Sequence, residues 1–292
     1  MQIYRGMDIG TAKSSLDERQ GIPHELIDIV EPDEERFTVD DWLGRARELE
    51  ARTLAAGRWP IVVGGTNLYV KAFIDGLFEG PPPDPRVRAE LAERDLETLR
   101  AELERIDPTA AARIHRNDRR RTERAIEVFR LSGRPISEWQ RQWDSTDPER
   151  LAQIRIVGLD YDAEEINPRI NARVREMLAR GLVEEVRQLH AAGKLGLQAR
   201  EGLGYGQIVD HLEGRLTLEE AIESIKIGSR RYAKQQRTWL RRFRVLPNAG
   251  FLKAAGMPFE TLVEKALAHA LGRPEQGPVG AAGQSGNEPV AP

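Results

Sequence analysis

Trp59-Pro60-Ile61-Val62-Val63-Gly64-Gly65-Thr66-Asn67-Leu68-Tyr69 decides the fold class of this chain. Its first half is an apolar, β-branched run of the kind buried on both faces of a parallel sheet. The glycine pair breaks that run, and residues 67–73 carry helical spacing. Strand, glycine turn, helix is the building unit of an α/β protein with a parallel sheet. The end of such a strand is where α/β proteins bind ligands; a plain tight turn reads equally well there.

Working outward, residues 26–30 predict a short strand. Residues 40–56 predict an amphipathic helix, with Trp42, Leu43, Ala46, Leu49 and Leu54 near helical spacing. On the other side the character changes at Pro81-Pro82-Pro83. Asp84-Pro85 and Asp107-Pro108 each set an N-cap acid before a proline at the first helical position, Asn117-Asp118 offers another cap, and Gly133 a stop. No strand pattern occurs between residues 81 and 150, which reads as an all-helical subdomain inserted into the α/β core. The strand pattern returns at residues 154–159. Helices follow at about 165–180 and 182–192, punctuated by Gly181 and Gly193. Thr217-Leu218-Glu219-Glu220 is a capping box that opens a long helix running to Phe243, and a last helix covers about 258–271. The expected organisation is a discontinuous core of residues 1–80 and 151–272, a helical insertion of 81–150, and a disordered glycine- and proline-rich tail of 273–292.

The chain has 292 residues, a formal net charge of −3 and no cysteine. That excludes disulfides, thiolate nucleophiles and cysteine-ligated metals, and gives no bulk affinity for polyanions. The five histidines are scattered without metal-ligand spacing and read as polar or capping residues. No stretch reads as a signal peptide or approaches the roughly 18 apolar residues of a membrane helix, so a cytoplasmic protein is expected.

Charge is concentrated locally instead. Between Lys226 and Arg244 stand eight basic residues and no acid, where the overall acidic content would place about three. At about 100° per residue, Arg230, Lys234, Arg237, Arg241 and Arg244 share an arc of about 80°, with Ile225, Tyr232, Gln236, Trp239 and Phe243 opposite. An aromatic face for the core and a cationic face for phosphates is the reading, because a merely solvated face interleaves acids. Arg113, Arg116, Arg119, Arg120, Arg121 and Arg124 form a second basic cluster, in the insertion. Two clusters on different subdomains favour an extended polyanion such as RNA over a small nucleotide. Gly202-Leu203-Gly204-Tyr205-Gly206 reads as a flexible loop carrying an aromatic.

Met1-Gln2-Ile3-Tyr4-Arg5-Gly6-Met7-Asp8-Ile9-Gly10-Thr11-Ala12-Lys13 resembles a signature of the tRNA dimethylallyltransferase family. Further similarities follow in order: Pro23-His24 with Leu26-Ile27-Asp28, Val63 to Tyr69, Asp84-Pro85 with Arg88, Ala112 to His115, Arg121 with Arg124 to Val128, Gly204-Tyr205, and Arg230 to Trp239. The resemblance spans roughly residues 1–245 and implies a P-loop-NTPase-like parallel sheet core with the helical insertion. It implies transfer of a dimethylallyl group from dimethylallyl diphosphate to N6 of the adenine 3′ of the anticodon, in tRNAs reading UNN codons. Mg²⁺ is the implied cofactor, the tRNA anticodon stem-loop the implied partner, and a monomer the implied state. Arg230 would hold the diphosphate. Thr66 and Arg88 would contact tRNA near the target base, with Met1 and Gln2 at the same site. Arg120, Arg121, Arg124, Gly204, Tyr205, Lys234, Arg237 and Arg241 would hold the tRNA.

The departures are specific. The family's first strand and its Gly-x-Thr-x-x-Gly-Lys-Ser/Thr loop have no counterpart in this sequence, and the family's general-base aspartate would lie two residues before Met1. Gly206 stands where a basic residue is common and Ser14 where proline is usual. Residues 1–292 alone are therefore expected to bind tRNA weakly without prenylating it, with Met1 an internal methionine of a longer frame. Two rivals are an enzyme of the same chemistry acting on AMP, which needs neither insertion nor second cluster, and a non-catalytic RNA-binding remnant.

Overall fold

The structure is a computed structural model and describes residues 1–78, 80–140 and 147–272. The tail expected to be disordered lies outside the described residues. In chain order the helices before the first strand are α1 (Val39–Ala55), α2 (Asn67–Asp75), α3 (Pro85–Ala92), α4 (Leu96–Ile106), α5 (Pro108–Arg113), α6 (Arg119–Ser132), α7 (Ile136–Trp139) and α8 (Pro148–Gln153). Then come β1 (Ile156–Asp160), α9 (Ala163–Ala179), α10 (Leu182–Ala191), α11 (Leu197–Arg200), α12 (Tyr205–Leu212), α13 (Leu218–Phe243), β2 (Ala249–Lys253) and α14 (Phe259–Ala270).

Helix starts follow the local chemistry. Asp84, Asp107 and Asp118 each accept a hydrogen bond from an amide in the first turn of α3, α5 and α6, satisfying a donor that would otherwise lack a partner. Thr38 with Asp41, and Thr217 with Glu220, close reciprocal capping boxes on α1 and α13. Gly133 ends α6 at φ 68°, a left-handed conformation that glycine adopts without steric cost.

Strands diverge from expectation. β1 and β2 form a two-stranded parallel sheet in which Ile156 faces Ala249 and Asp160 faces Lys253. Residues 26–30 contribute a single parallel bridge, Tyr4 with Val30. Leu26 and Asp28 stand at φ 62° and 55°, which no strand accommodates. The run at 59–63 is no strand: Ile61 is 86% and Val63 90% exposed, and no ladder partner flanks it among the described residues. Apolar β-branched composition favours extended backbone, but a neighbouring strand must supply the hydrogen bonds. β2, with Gly250 as its second residue, carries no alternation, and the sequence reading does not include it.

The buried side chains gather in two clusters. One joins Tyr4, Met7, Val30 and Phe37 to Val174, Leu182, Val186, Tyr205, Ile208, Val209, Ala221 and Ile225. The other lies among α3 to α7: Leu91, Leu99, Leu103, Ile106, Ala110, Ala111, Ala125, Ile126, Val128 and Ile136. Fully burying one leucine contributes about 2 kcal/mol, so each cluster is a substantial core. No helix among the described residues is long and apolar enough to cross a membrane.

Candidate functional site

Helix α13 organises the site. On one face, Lys234, Arg237, Arg241 and Arg244 line a cleft of about 320 Å³ with Thr238, Leu240 and Asp160 from the end of β1. Arg244 pairs with Asp160. Arg230, one turn before Lys234, donates to Asn171 Oδ1 at 2.9 Å and to Glu223 Oε1 at 3.1 Å. Glu223 also takes Lys226. Its hydrogen bond from Arg230, seconded by that from Lys226, holds its carboxyl below the usual carboxylate range. The cationic row therefore meets two acids from outside the 226–244 stretch: Glu223, two turns before Arg230 on the same face of α13, and Asp160, from the end of β1.

The opposite face corrects the expectation of an aromatic core side. Ile225 and Phe243 are buried, but Tyr232 is 40% exposed. Tyr232 and Gln236 reach across to the Gly64–Thr66 turn. Tyr232 Oη lies 3.1 Å from Thr66 Oγ1 and 3.2 Å from Gly65 O, and Gln236 Nε2 donates to Gly65 O at 2.9 Å. A Cβ on Gly65 would collide with the Gln236 amide, so glycine is what admits this contact. Thr66 and the cationic cleft thus sit on opposite faces of one helix. Sequence reading missed Tyr232 and Gln236 as site residues; their four-residue spacing was the available signal.

The N-terminal signature is a framework of turns. Lys13 is 8% exposed, and its Nζ donates to Tyr4 O, Asp8 Oδ1 and Asp28 Oδ1 at 2.5 to 2.7 Å. A buried ammonium is tolerated only with such partners. Gln2 Nε2 donates to the Thr11 and Ala12 carbonyls at 3.1 Å, so this side chain ties down its own turn. Glu185 accepts the amides of Asp8, Ile9 and Gly10 at 2.9, 2.7 and 3.2 Å, and Tyr205 Oη at 2.6 Å.

Tyr205 requires a correction. It is 1% exposed, opens α12 and packs on Gly10, so its ring is not free to touch an RNA. Burial, seconded by the bond to Glu185, pushes its phenol far above its ordinary value. The segment around it is packed, not flexible. Gly204 turns the chain at φ 98°. A Cβ at Gly202 would crowd Met1, and one at Gly228 would crowd Leu203, which brings Met1, this turn and α13 together.

In the helical part, Glu127 is 1% exposed and accepts from Arg88 Nε at 2.8 Å, Arg124 Nη1 at 2.6 Å and the Asp84 amide at 2.9 Å. Burial raises its carboxyl, and the Arg88, Arg124 and Asp84 hydrogen bonds outweigh that and leave it below its ordinary value. Arg124 also donates to Pro81 O, and Arg119 to the carbonyls of Leu91, Ala92 and Arg94. Arg119 and Arg124 are therefore occupied internally, a correction to the second cluster. Arg120 and Arg121 remain exposed on α6, and the Arg88 side chain stays 54% exposed despite its partner.

Among the described residues no three of His, Cys, Asp and Glu gather to hold a metal ion.

The model of the IPP transferase family matches residues 2–243. A tRNA dimethylallyltransferase of Geobacillus thermodenitrificans is 47% identical over 82% of this chain and 77% of its own. The crystal structure of a tRNA isopentenylpyrophosphate transferase from Bacillus halodurans is 38% identical, with a TM-score of 0.63 over 91% of this chain and 83% of that one. A eukaryotic dimethylallyltransferase solved acting on tRNA is 25% identical, with a TM-score of 0.76 over 94% of this chain and 73% of that one.

Proposed function

The chain belongs to the IPP transferase family, and from that premise we propose that it prenylates tRNA, moving a dimethylallyl group from dimethylallyl diphosphate to N6 of the adenine 3′ of the anticodon. It works in the cytoplasm, as a monomer. The observation that carries the reading is α13 itself. One helix presents Arg230, a cationic cleft and the latch on the Thr66 turn.

Leaving diphosphate develops negative charge, and an exocyclic adenine amine is a poor nucleophile because its lone pair is delocalised into the ring. As the N–C bond forms, the C–O bond to diphosphate breaks and the amine proton passes to the departing diphosphate, so the reaction needs cations aimed at that leaving group and a group that orients the amine. Arg230 supplies the first. In the free protein its guanidinium rests on Asn171 and Glu223, and the diphosphate displaces Glu223. Thr66 supplies an exposed hydroxyl for the amine. The base must leave its stack to reach it, at a cost of a few kcal/mol that is lowest in a loop. Lys234, Arg237 and Arg241 on the core, with Arg120 and Arg121 on the helical insertion, meet the phosphates. Phosphate contacts fix register and the flipped base carries identity. The helical block of residues 81–150 serves the RNA, and the remainder serves the chemistry and shares in holding the RNA.

The test is transfer of labelled dimethylallyl to an anticodon stem-loop, to the same stem-loop with guanine at the target, and to AMP. Protein made from Met1 and from any in-frame start upstream is compared. Label on the first acceptor alone, by at least one of the two forms, is the expected result. Label on AMP instead, or no acceptor labelled by either form, overturns the reading.

A further inference from the structure

We propose that Tyr232 and Gln236 are positioning residues that aim the Thr66 hydroxyl at the substrate amine, an inference that rests on the transfer reaction above. Thr66 is the N-cap residue of α2, yet its hydroxyl makes no bond to the amides of its own helix. An N-cap threonine ordinarily spends its oxygen on the second or third amide of the helix it starts. Here the oxygen is turned away, toward a tyrosine 166 positions along the chain.

Proton accounting gives the direction. Tyr232 has one hydroxyl proton, and the Gly65 carbonyl at 3.2 Å can only accept it. Thr66 is then the donor in its 3.1 Å contact with Tyr232 Oη, and its oxygen keeps its lone pairs for a ligand. An outward acceptor suits the N–H of an exocyclic amine and discriminates against a carbonyl at the same place. Gln236 grips the same Gly65 carbonyl at 2.9 Å, so the turn is held at two points from one helix. A latch serving stability alone would have no use for the Thr66 hydroxyl.

The experiment compares the wild type with Tyr232→Phe, Gln236→Leu, Thr66→Val and the double variant Tyr232→Phe/Thr66→Val. Amide hydrogen exchange over residues 64–69 reads the latch directly, and single-turnover transfer to the stem-loop reads its use. Tyr232→Phe is expected to speed exchange at 64–69 several-fold with Tm unchanged. It slows transfer about tenfold, the size of one hydrogen bond, with stem-loop Kd unchanged. In the Thr66→Val background it slows transfer no further, which a general structural role would not produce. Unchanged exchange at 64–69, or losses that multiply in the double variant, overturn the proposal. If neither the protein made from Met1 nor a longer in-frame form transfers to the stem-loop, the transfer reading falls and the positioning proposal with it, whereas normal transfer by Tyr232→Phe overturns the positioning proposal alone.

Discussion

Glu127 shows how much one buried carboxylate can organise. With 1% of its surface exposed it collects two guanidiniums and the amide of Asp84, so it fastens the strap at 81–84 to α6. Removing Glu127 leaves the Asp84 amide and the mostly buried Arg124 without their acceptor while the half-exposed Arg88 turns to water, at about 2 kcal/mol. Glu127→Ala is expected to lose about that much in urea unfolding. Glu127→Gln, which still accepts the amide, loses less. Because the folded carboxyl lies below its ordinary value, its contribution is full above the unfolded value of about 4.3 and disappears as pH falls through the lower folded one. Below about pH 4 the urea midpoint of the wild type should therefore fall more steeply than that of Glu127→Gln. Tyr205 marks the limit of reading single residues. Glycines around a tyrosine suggest a loop aromatic, and only Glu185, twenty positions away, shows that the ring is inside.

At the level of elements, what was legible was what is local. Asp-Pro pairs, the Asn117-Asp118 cap with Gly133, the 217–220 capping box and the apolar spacing of residues 42–54 predicted α3, α5, α6, α13 and α1 because a helix satisfies its own backbone within a few residues. Strands are settled by neighbours, and the run at 59–63 found none among the described residues. The same division holds on α13. Its cationic arc was readable from 100° spacing, as was Glu223 two turns before Arg230, whereas Asp160 comes from a strand end that no helix spacing reveals. Lys234, Arg237 and Arg241 make no ion pair among the described residues, so their charge is free for phosphate. Arg237→Ala and Arg241→Ala should each weaken stem-loop binding evenly across sequences. Each should lower the slope of log affinity against log salt by about one. A slope unchanged by both would place the RNA elsewhere.

For the whole molecule the question is how two separate cores present one binding surface. The chain leaves α2 at Asp75, builds the helical cluster, and returns through α8. Arg150 of α8 closes that excursion. It pairs with Glu50 of α1 at 3.0 Å, donates to the Phe73 carbonyl at 3.3 Å, and lies over the Phe73 ring at 5.2 Å, a ring that Arg47 also meets at 4.7 Å. Two guanidiniums on one ring and one carboxylate form a clasp between α1, α2 and the returning chain. An RNA held at α6 and at α13 gains from the second contact only while the spacing between the two surfaces is fixed, since the gain is an effective concentration set by geometry. Arg150→Ala should therefore lower affinity for a complete anticodon stem-loop about tenfold. A loop oligonucleotide too short to reach both surfaces should bind as before, because every phosphate-binding side chain is still present. Fluorescence anisotropy with both ligands at one salt concentration distinguishes this from simple loss of charge, in which the short ligand would weaken as well. Equal losses for the two ligands would mean that the clasp supports α13 alone and that the helical surface takes no part in holding the RNA.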